Sequence, residues 1–285
     1  MKVLVPVDFS EESINAFRFA VDLTAKSGGE IGLLHIIPLP VLQDSPRMPV
    51  ERYREPLIDE LKSAAHFKFL QLIHEQNREN ARISADVLIN NRIHRTIAKY
   101  AKNQNFDTVV MGTRGASGIR EWLMGSNTEK VVRTCPVPVI AVKKYSPGSR
   151  IRNIVFPNIL DTEHQEDLVA KIKVLQNFFE AELHIVWINT PVSKPDVDVR
   201  QRLNEFAKRY MLKDYTISVF NFADEETGIL EYTRQINGDL IAMGTRGLKG
   251  IAHLLSGSIA EDVVNHVQYP VWTYCTKAAF QTHER

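Results

Sequence analysis

The sequence predicts an α/β protein built as two tandem domains, each an open parallel five-stranded sheet with helices on both faces. Three observations predict it. A Gly-x-x-Gly pair followed at a fixed distance by Gly-Ser occurs twice in one register, from Gly112 to Ser126 and from Gly244 to Ser258. Short β-rich runs alternate with segments of helical apolar spacing in both halves. The second strand of each half is continuously apolar, as a strand covered on both faces must be.

The elements follow in order. Val3 to Val7 and Ile151 to Phe156 read as the first strands. Ser10-Glu11-Glu12-Ser13 supplies an N-cap and an acidic first turn to a helix carrying Ala16, Phe17, Ala20, Val21 and Leu23, which ends near Ser27-Gly28-Gly29. Asp161-Thr162-Glu163 precedes the matching helix of Leu168, Val169, Ile172, Val174 and Leu175. Second strands are expected at Ile31 to Ile37 and Leu183 to Trp187, and third strands at Ile83 to Ile89 and Thr216 to Phe220. Helices are expected through Ile93 to Ala101 and Ile229 to Ile236, and fourth strands at Asp107 to Met111 and Asp239 to Met243, each running into its glycine motif. The motif opens the last helix, and both halves close on Pro-Val strands, Pro138 to Val142 and Pro270 to Tyr274. Counting from His35 and His184 to the motifs gives the first half about 17 extra residues, expected in Pro38 to Pro56 ahead of a helix-like run from Leu57 to Ile73. That stretch reads either as a lid over the ligand edge or as a surface excursion. Lys143 to Arg150, broken by Ser146-Pro147-Gly148-Ser149, is the expected linker, giving domains over 1–145 and 150–276.

Composition narrows the function. The 285 residues carry 35 Lys and Arg against 34 Asp and Glu, a formal net charge of +1, so no global field recruits nucleic acid or an anionic membrane. Two cysteines, Cys135 and Cys275, suggest a reducing compartment without a disulfide framework. The apolar run after Lys2 stops at Asp8, too short for a secretory signal, and no stretch reaches transmembrane length, so a cytoplasmic location is expected.

The chemistry lies in the motif. Gly112 and Gly115 permit positive φ and let backbone amides approach a ligand, while Gly125-Ser126 falls at a helix start whose unpaired N–H groups and partial positive charge suit phosphate. The alternative is a Gly-rich connection that binds nothing, and a lone Gly-x-x-Gly would favour it; the spacing to Gly-Ser, the preceding strand and the second copy favour the cradle. Neither Gly-x-x-x-x-Gly-Lys-Ser/Thr nor a Gly-x-Gly-x-x-Gly after the first strand occurs, which argues against a P-loop NTPase and a dinucleotide oxidoreductase.

Together, Val5-Pro6-Val7-Asp8-Phe9-Ser10, Leu33-Leu34-His35-Ile36, Val109 to Gly115, Gly125-Ser126 and Cys135-Pro136-Val137-Pro138-Val139 resemble the universal stress protein family. The resemblance spans nearly the whole chain as two tandem domains of the adenine nucleotide alpha hydrolase-like fold. It implies pairing through the last strands about a pseudo-two-fold axis. In that family the glycine pattern marks ATP-binding members, so the resemblance implies ATP, or ADP or AMP, with Mg²⁺ able to bridge phosphates, although no carboxylate cluster here would hold a metal unaided. It implies Pro6, Val7, Asp8 and Ile36 around the adenosine portion. Met111, Gly112, Arg114, Gly115, Gly125, Ser126, Asn127 and Thr128 would hold ribose and phosphates. The second copy comprises Ile185, placed opposite Ile36, with Gly244, Arg246, Gly247, Gly257, Ser258 and Ile259. Aligning Pro157 with Pro6 sets Ile159 opposite Asp8, so the second copy lacks the carboxylate and the first is the expected ATP site.

Other polar residues weigh less. His35 and His184 occupy equivalent strand positions and, without acidic or cysteine partners, read as hydrogen-bonded strand histidines rather than bases. Cys135 reads as structural, Arg114 and Arg246 as either phosphate ligands or edge residues paired with acids, and Arg92-Ile93-His94-Arg95 as a weak nucleic-acid signal. A nucleotide-sensing regulatory module is the expectation, against a slow ATPase or autophosphorylating protein using Ser126 or Thr128, and against a non-binding scaffold. Adenine nucleotide, an unidentified protein partner and a second copy in a homodimer are the expected partners.

Overall fold

The computed structural model describes residues 1–25, 28–39, 50–76, 81–113, 126–145, 147–158, 160, 165–191, 196–245, 263 and 268–275. The first half contributes β1 (Lys2–Pro6), α1 (Glu11–Ala25), β2 (Glu30–Ile37), α2 (Val50–Gln76), β3 (Arg82–Ile89), α3 (Ile93–Asn103), β4 (Thr108–Gly112), α4 (Ser126–Thr134) and β5 (Val139–Val142). The second contributes β6 (Asn153–Pro157), α5 (Gln165–Phe179), β7 (Glu182–Asn189), α6 (Asp196–Arg209), β8 (Tyr215–Asn221), α7 (Glu225–Gln235), β9 (Leu240–Thr245) and β10 (Val271–Cys275).

All ten strands form one sheet in the order β3-β2-β1-β4-β5-β10-β9-β6-β7-β8. Pairing is parallel within each half, and β5 meets β10 antiparallel, with Ile140 opposite Trp272. The two five-stranded sheets expected from the sequence therefore join through their last strands. Because the seam is antiparallel, the carboxyl ends of the strands face opposite edges in the two halves. Helices α1, α2, α5 and α6 cover one face, burying Phe17, Phe69, Ile172 and Leu203. The opposite face buries Ile97, Val131 and Ile229 from α3, α4 and α7. Each fully buried aliphatic or aromatic side chain contributes roughly 1.5–3 kcal/mol, so both faces hold the sheet in place.

Several boundaries differ from expectation for local reasons. Helix α7 starts at Glu225, four residues before the expected start, because the Asp224 carboxylate accepts the Thr227 amide at 2.8 Å as an N-cap. The linker is not wholly irregular. Gly148–Arg150 form a 3-10 turn, and Gly148 packs where a Cβ would lie 3.0 Å from the Phe19 carbonyl oxygen. Most of the extra length of the first half is helix, since α2 has 27 residues and α6 has 14. Residues 50–56 of the expected excursion are the first turns of α2, which runs through Pro56; residues 40–49, on which the lid reading rests, lie outside the described residues.

Strand register corrects one expected equivalence. Pro6 pairs with Leu34 and Pro157 with Val186, so His35 corresponds to Trp187 and Ile36 to Ile188. His184 stands where the first half has Gly32. Leu34 to Gly112 spans 78 positions and Val186 to Gly244 spans 58, which raises the excess to about 20. From the end of the third strand onward the halves keep a constant offset of 132 residues, as between Gly112 and Gly244 or Asn105 and Asn237, the latter both left-handed.

Gly112 ends β4 against the first turn of α1. A Cβ there would sit 2.2 Å from the Glu12 carbonyl oxygen and 2.8 Å from the Ser13 nitrogen. Its backbone does not adopt the positive φ expected of it, and the absence of a side chain admits the first turn of α1. At Gly244 the corresponding obstacle is the Leu168 side chain, 2.7 Å away. Backbone cannot yield and a leucine tip can. Gly112→Ala should therefore cost about 3 kcal/mol and Gly244→Ala about 1 kcal/mol in urea unfolding; equal losses would show that the α1–β4 approach is not the constraint.

Candidate functional site

The first strand delivers Asp8 to the carboxyl edge of the sheet through a turn held at every residue. The Val7 amide donates to the Leu34 carbonyl at 2.9 Å, and the Val7 carbonyl accepts from His35 Nδ1 at 2.7 Å. Phe9 takes φ 64°, an uncommon left-handed state for a bulky residue, and its ring meets those of His35 and Phe69 at 4.9 and 5.3 Å. The Lys68 ammonium lies 5.2 Å over the Phe9 ring. Helix α2 thus packs on the turn that carries Asp8.

One oxygen of Asp8 is committed to α1. Asp8 Oδ1 accepts the Ser10 amide at 3.0 Å and the Ser10 hydroxyl, while Ser10 Oγ accepts the Ser13 amide at 3.3 Å. The carboxylate is therefore oriented by the cap of the helix that follows it. Partial burial would raise its pKa, but the hydrogen bonds from Ser10 outweigh that and hold it below the usual carboxylate value. The group is an anion at neutral pH, and the Ser13 side chain adds to the two Ser10 bonds in holding it so.

The apolar and phosphate-facing parts converge beside it. Ile36, at the end of β2, and Met111, in β4, are buried together with Val131 of α4. Pro6, the last residue of β1, is half-buried next to Val7. Helix α4 opens at Ser126, Asn127 is half-buried, and the Thr128 hydroxyl, itself buried, donates to the Gly112 carbonyl at 3.1 Å. That bond fastens the first turn of α4 to the end of β4 and commits the Thr128 proton, which weighs against Thr128 as a phosphoryl acceptor. Arg114, Gly115, Gly125, Arg246, Gly247, Gly257, Ser258 and Ile259 lie outside the described residues. The structure brings Pro6, Val7, Asp8, Ile36, Met111, Gly112, Asn127 and Thr128 to one edge. They offer an anionic acceptor, an apolar floor and a helix start able to stabilise negative charge.

The second half builds the equivalent edge differently. Asn158 stands at the Val7 position and is buried; its Oδ1 accepts the Leu160 amide at 2.6 Å and its Nδ2 donates to Gln165 Oε1 at 3.2 Å. Leu160, with φ 54°, holds the same offset from Pro157 that Phe9 holds from Pro6. The turn recurs with an amide in place of the carboxylate, and both ends of that amide are used internally. Ile185 is not the partner of Ile36. It is buried on the opposite face of the sheet, and Ile188 takes the Ile36 position and shares its face. Trp187, at the His35 position, has an indole nitrogen that is buried without a hydrogen-bond partner, so no bond equivalent to His35–Val7 forms.

Sequence reasoning missed Ser10 and Ser13 as supports of Asp8, although Asp-x-Ser before a helix is the spacing of an Asx turn feeding an N-cap. It also missed Phe69 and Lys68, which reach the turn only by tertiary packing. Cys135 is buried and its thiol is pushed up to about 12 chiefly by that burial, which leaves it inert. His184 is satisfied by Thr216 Oγ1 at 2.7 Å and Asn153 Oδ1 at 3.1 Å. Among the described residues no three His, Cys, Asp or Glu side chains cluster as a metal site, and no helix is long and apolar enough to cross a membrane.

Known proteins share this architecture. A crystal structure of a universal stress protein from Archaeoglobus fulgidus superposes with a TM-score of 0.75 at 23% identity, covering 96% of this chain and 98% of that one. Universal stress protein YxiE of Bacillus subtilis is 29% identical over 144 residues, which is 49% of this chain and 97% of that protein. Universal stress protein MJ0577 of Methanocaldococcus jannaschii is 26% identical over 154 residues, 50% of this chain and 94% of that protein. The chain is thus about twice the size of the Bacillus and Methanocaldococcus relatives and about the size of the Archaeoglobus one. The sequence model of the universal stress protein family matches residues 1–143 and 219–274, and the chain belongs to that family.

Proposed function

We propose that the protein is a cytoplasmic, nucleotide-sensing regulatory module of the stress response, with domains over 1–145 and 150–276, that binds ATP, or its ADP or AMP forms, at the first-half edge. The observation that carries this reading is the juxtaposition of the Asp8 carboxylate, the Ile36–Met111 floor and the α4 start. Asp8 would accept from the nucleoside portion, the floor would pack on it, and the α4 amides would face phosphate. Arg114, Gly115, Gly125 and Ser126 would complete the phosphate side. Mg²⁺, if bound, would be held mainly by phosphate oxygens. Occupancy would order the glycine loop and change the surface offered to a protein partner or to a second copy. Turnover is disfavoured because His35 is committed to Val7 and the Thr128 hydroxyl to Gly112.

The second half retains its glycine motif but spends Asn158 internally, so one nucleotide per chain is expected. Calorimetry should give that stoichiometry, with Asp8→Ala weakening ATP at least about tenfold and Asn158→Ala leaving it within about twofold. No binding, with no nucleotide released on denaturing the purified protein, would end the proposal.

The Asp8 charge also sets a pH dependence. Its carboxyl titrates below the ordinary value, so its native hydrogen bonds favour the folded state at neutral pH and are lost as pH falls from about 4 through the folded pKa. Comparing Asp8→Asn with the parent should show a stability loss at pH 7 that narrows only below about pH 4. A difference that already closes by pH 6 would mean that Asp8 is not held as a carboxylate.

A further inference from the structure

The basic run Arg92-Ile93-His94-Arg95 has no role in the site as built so far, and its placement supplies one. Asn90 ties the β3–α3 turn to the nucleotide edge, because its amide donates to the Ile37 carbonyl at 3.1 Å while its Oδ1 accepts the Arg92 amide at 2.8 Å. The turn that leads into α3 is therefore pinned at Asn90 to Ile37, the residue after Ile36. Ile93 and Ile97 pack into the core. Lys130 lies one helical turn beyond Ser126 on the same stripe of α4, and α3 packs beside α4. Among the described residues, none of the Arg92, His94, Arg95 and Lys130 side chains has a hydrogen bond or an ion pair. The neighbouring Glu129 is paired with Arg133 at 3.5 Å.

The second half reverses the charge at these positions. Its turn is anchored in the same way, with the Phe222 amide donating to the Asn189 carbonyl at 3.0 Å. The offset of 132 residues puts Asp224 at the Arg92 position, Glu226 at the His94 position and Asp262 at the Lys130 position. In sequence, three basic residues are replaced by acidic ones; Asp224 and Glu226 lie at the equivalent helix start, and Asp262 lies outside the described residues. Asp224 is used to cap α7, whereas Arg92 makes no side-chain cap of α3 and stays available to an anion in the first half.

We propose that Arg92, His94, Arg95 and Lys130 form a second anion subsite, beside the α4 start and in the first half only, that takes the distal phosphates of a phosphate-bearing ligand. On the reading of the first-half edge as a nucleotide site, that ligand is the polyphosphate end of ATP. The subsite then makes the protein discriminate ATP from AMP. The charged groups acting on His94 are Arg95 from its own helix and Lys130 from α4. Together with burial they hold its pKa below the ordinary histidine value, so an arriving phosphate would raise it and draw a proton onto the ring.

Two measurements test this, and the first does not depend on nucleotide. The imidazole titration of His94, followed by NMR, should move to higher pH when inorganic pyrophosphate is added to the full chain. The shift should vanish in Arg92→Gln/Arg95→Gln. No shift at millimolar pyrophosphate would overturn the subsite. The second is the ratio of ATP to AMP affinity by calorimetry. It should be at least about tenfold in the parent and fall to within about twofold in Arg92→Gln/Lys130→Gln, with AMP affinity unchanged and the melting curve retained. Equal loss for ATP and AMP, or an unchanged ratio, would also overturn it. A pyrophosphate shift in a protein that binds no nucleotide would refute the nucleotide reading and leave the subsite standing.

Discussion

The antiparallel pairing of β5 with β10 is the constraint on which the rest depends. It turns two five-stranded sheets into one and buries the last strand of each half between neighbours, leaving only β3 and β8 as edges. Side chains close the seam. The Thr273 hydroxyl donates to the Val139 carbonyl at 3.3 Å, and the Cys275 thiol donates to the Arg133 carbonyl at 3.2 Å. Arg133 lies in the last turn of α4, so the helix whose first turn faces the candidate phosphate edge is held at its far end by the other half. The same antiparallel seam sends the carboxyl edges of the two halves in opposite directions.

Within that frame the halves have diverged by paired exchanges. Gly32 leaves room for Phe106, whose ring would lie 2.5 Å from an added Cβ. In the second half His184 stands at the Gly32 position and Gly238 at the Phe106 position, with Gly238 packed against Thr233 and Val155 instead. Close-packed interiors tolerate such changes when volume is kept. The candidate site shows the polar version of the same divergence. Asp8 is an exposed carboxylate oriented by Ser10, whereas Asn158 is buried and spends both amide ends inside its own turn. Charge at the α3 and α7 starts diverges in the same sense.

Much of this was legible before the fold was known, and the errors are instructive. Strand and helix order, the tandem repeat, Asp8 at a strand end and Gly-Ser at a helix start all follow from short-range periodicity and fixed spacing. Matching His35 with His184 was a chance coincidence of residue type. It misplaced Ile185 by three positions and hence onto the wrong face of the sheet, since side chains alternate along a strand. Gly112 read as ligand space because a glycine records only that something comes close, and what comes close is the backbone of Glu12.

By itself, then, the sequence determined the class of fold, the duplication and the edge at which a ligand would lie, because those depend on residues within a few turns of one another. Tertiary structure alone decided which residues are equivalent between the halves, which glycine is filled by a helix, and that the helix start carrying Arg92, His94 and Arg95 packs beside α4. Each of these is set by register and packing between segments tens of residues apart, where geometry and not local pattern chooses the neighbour.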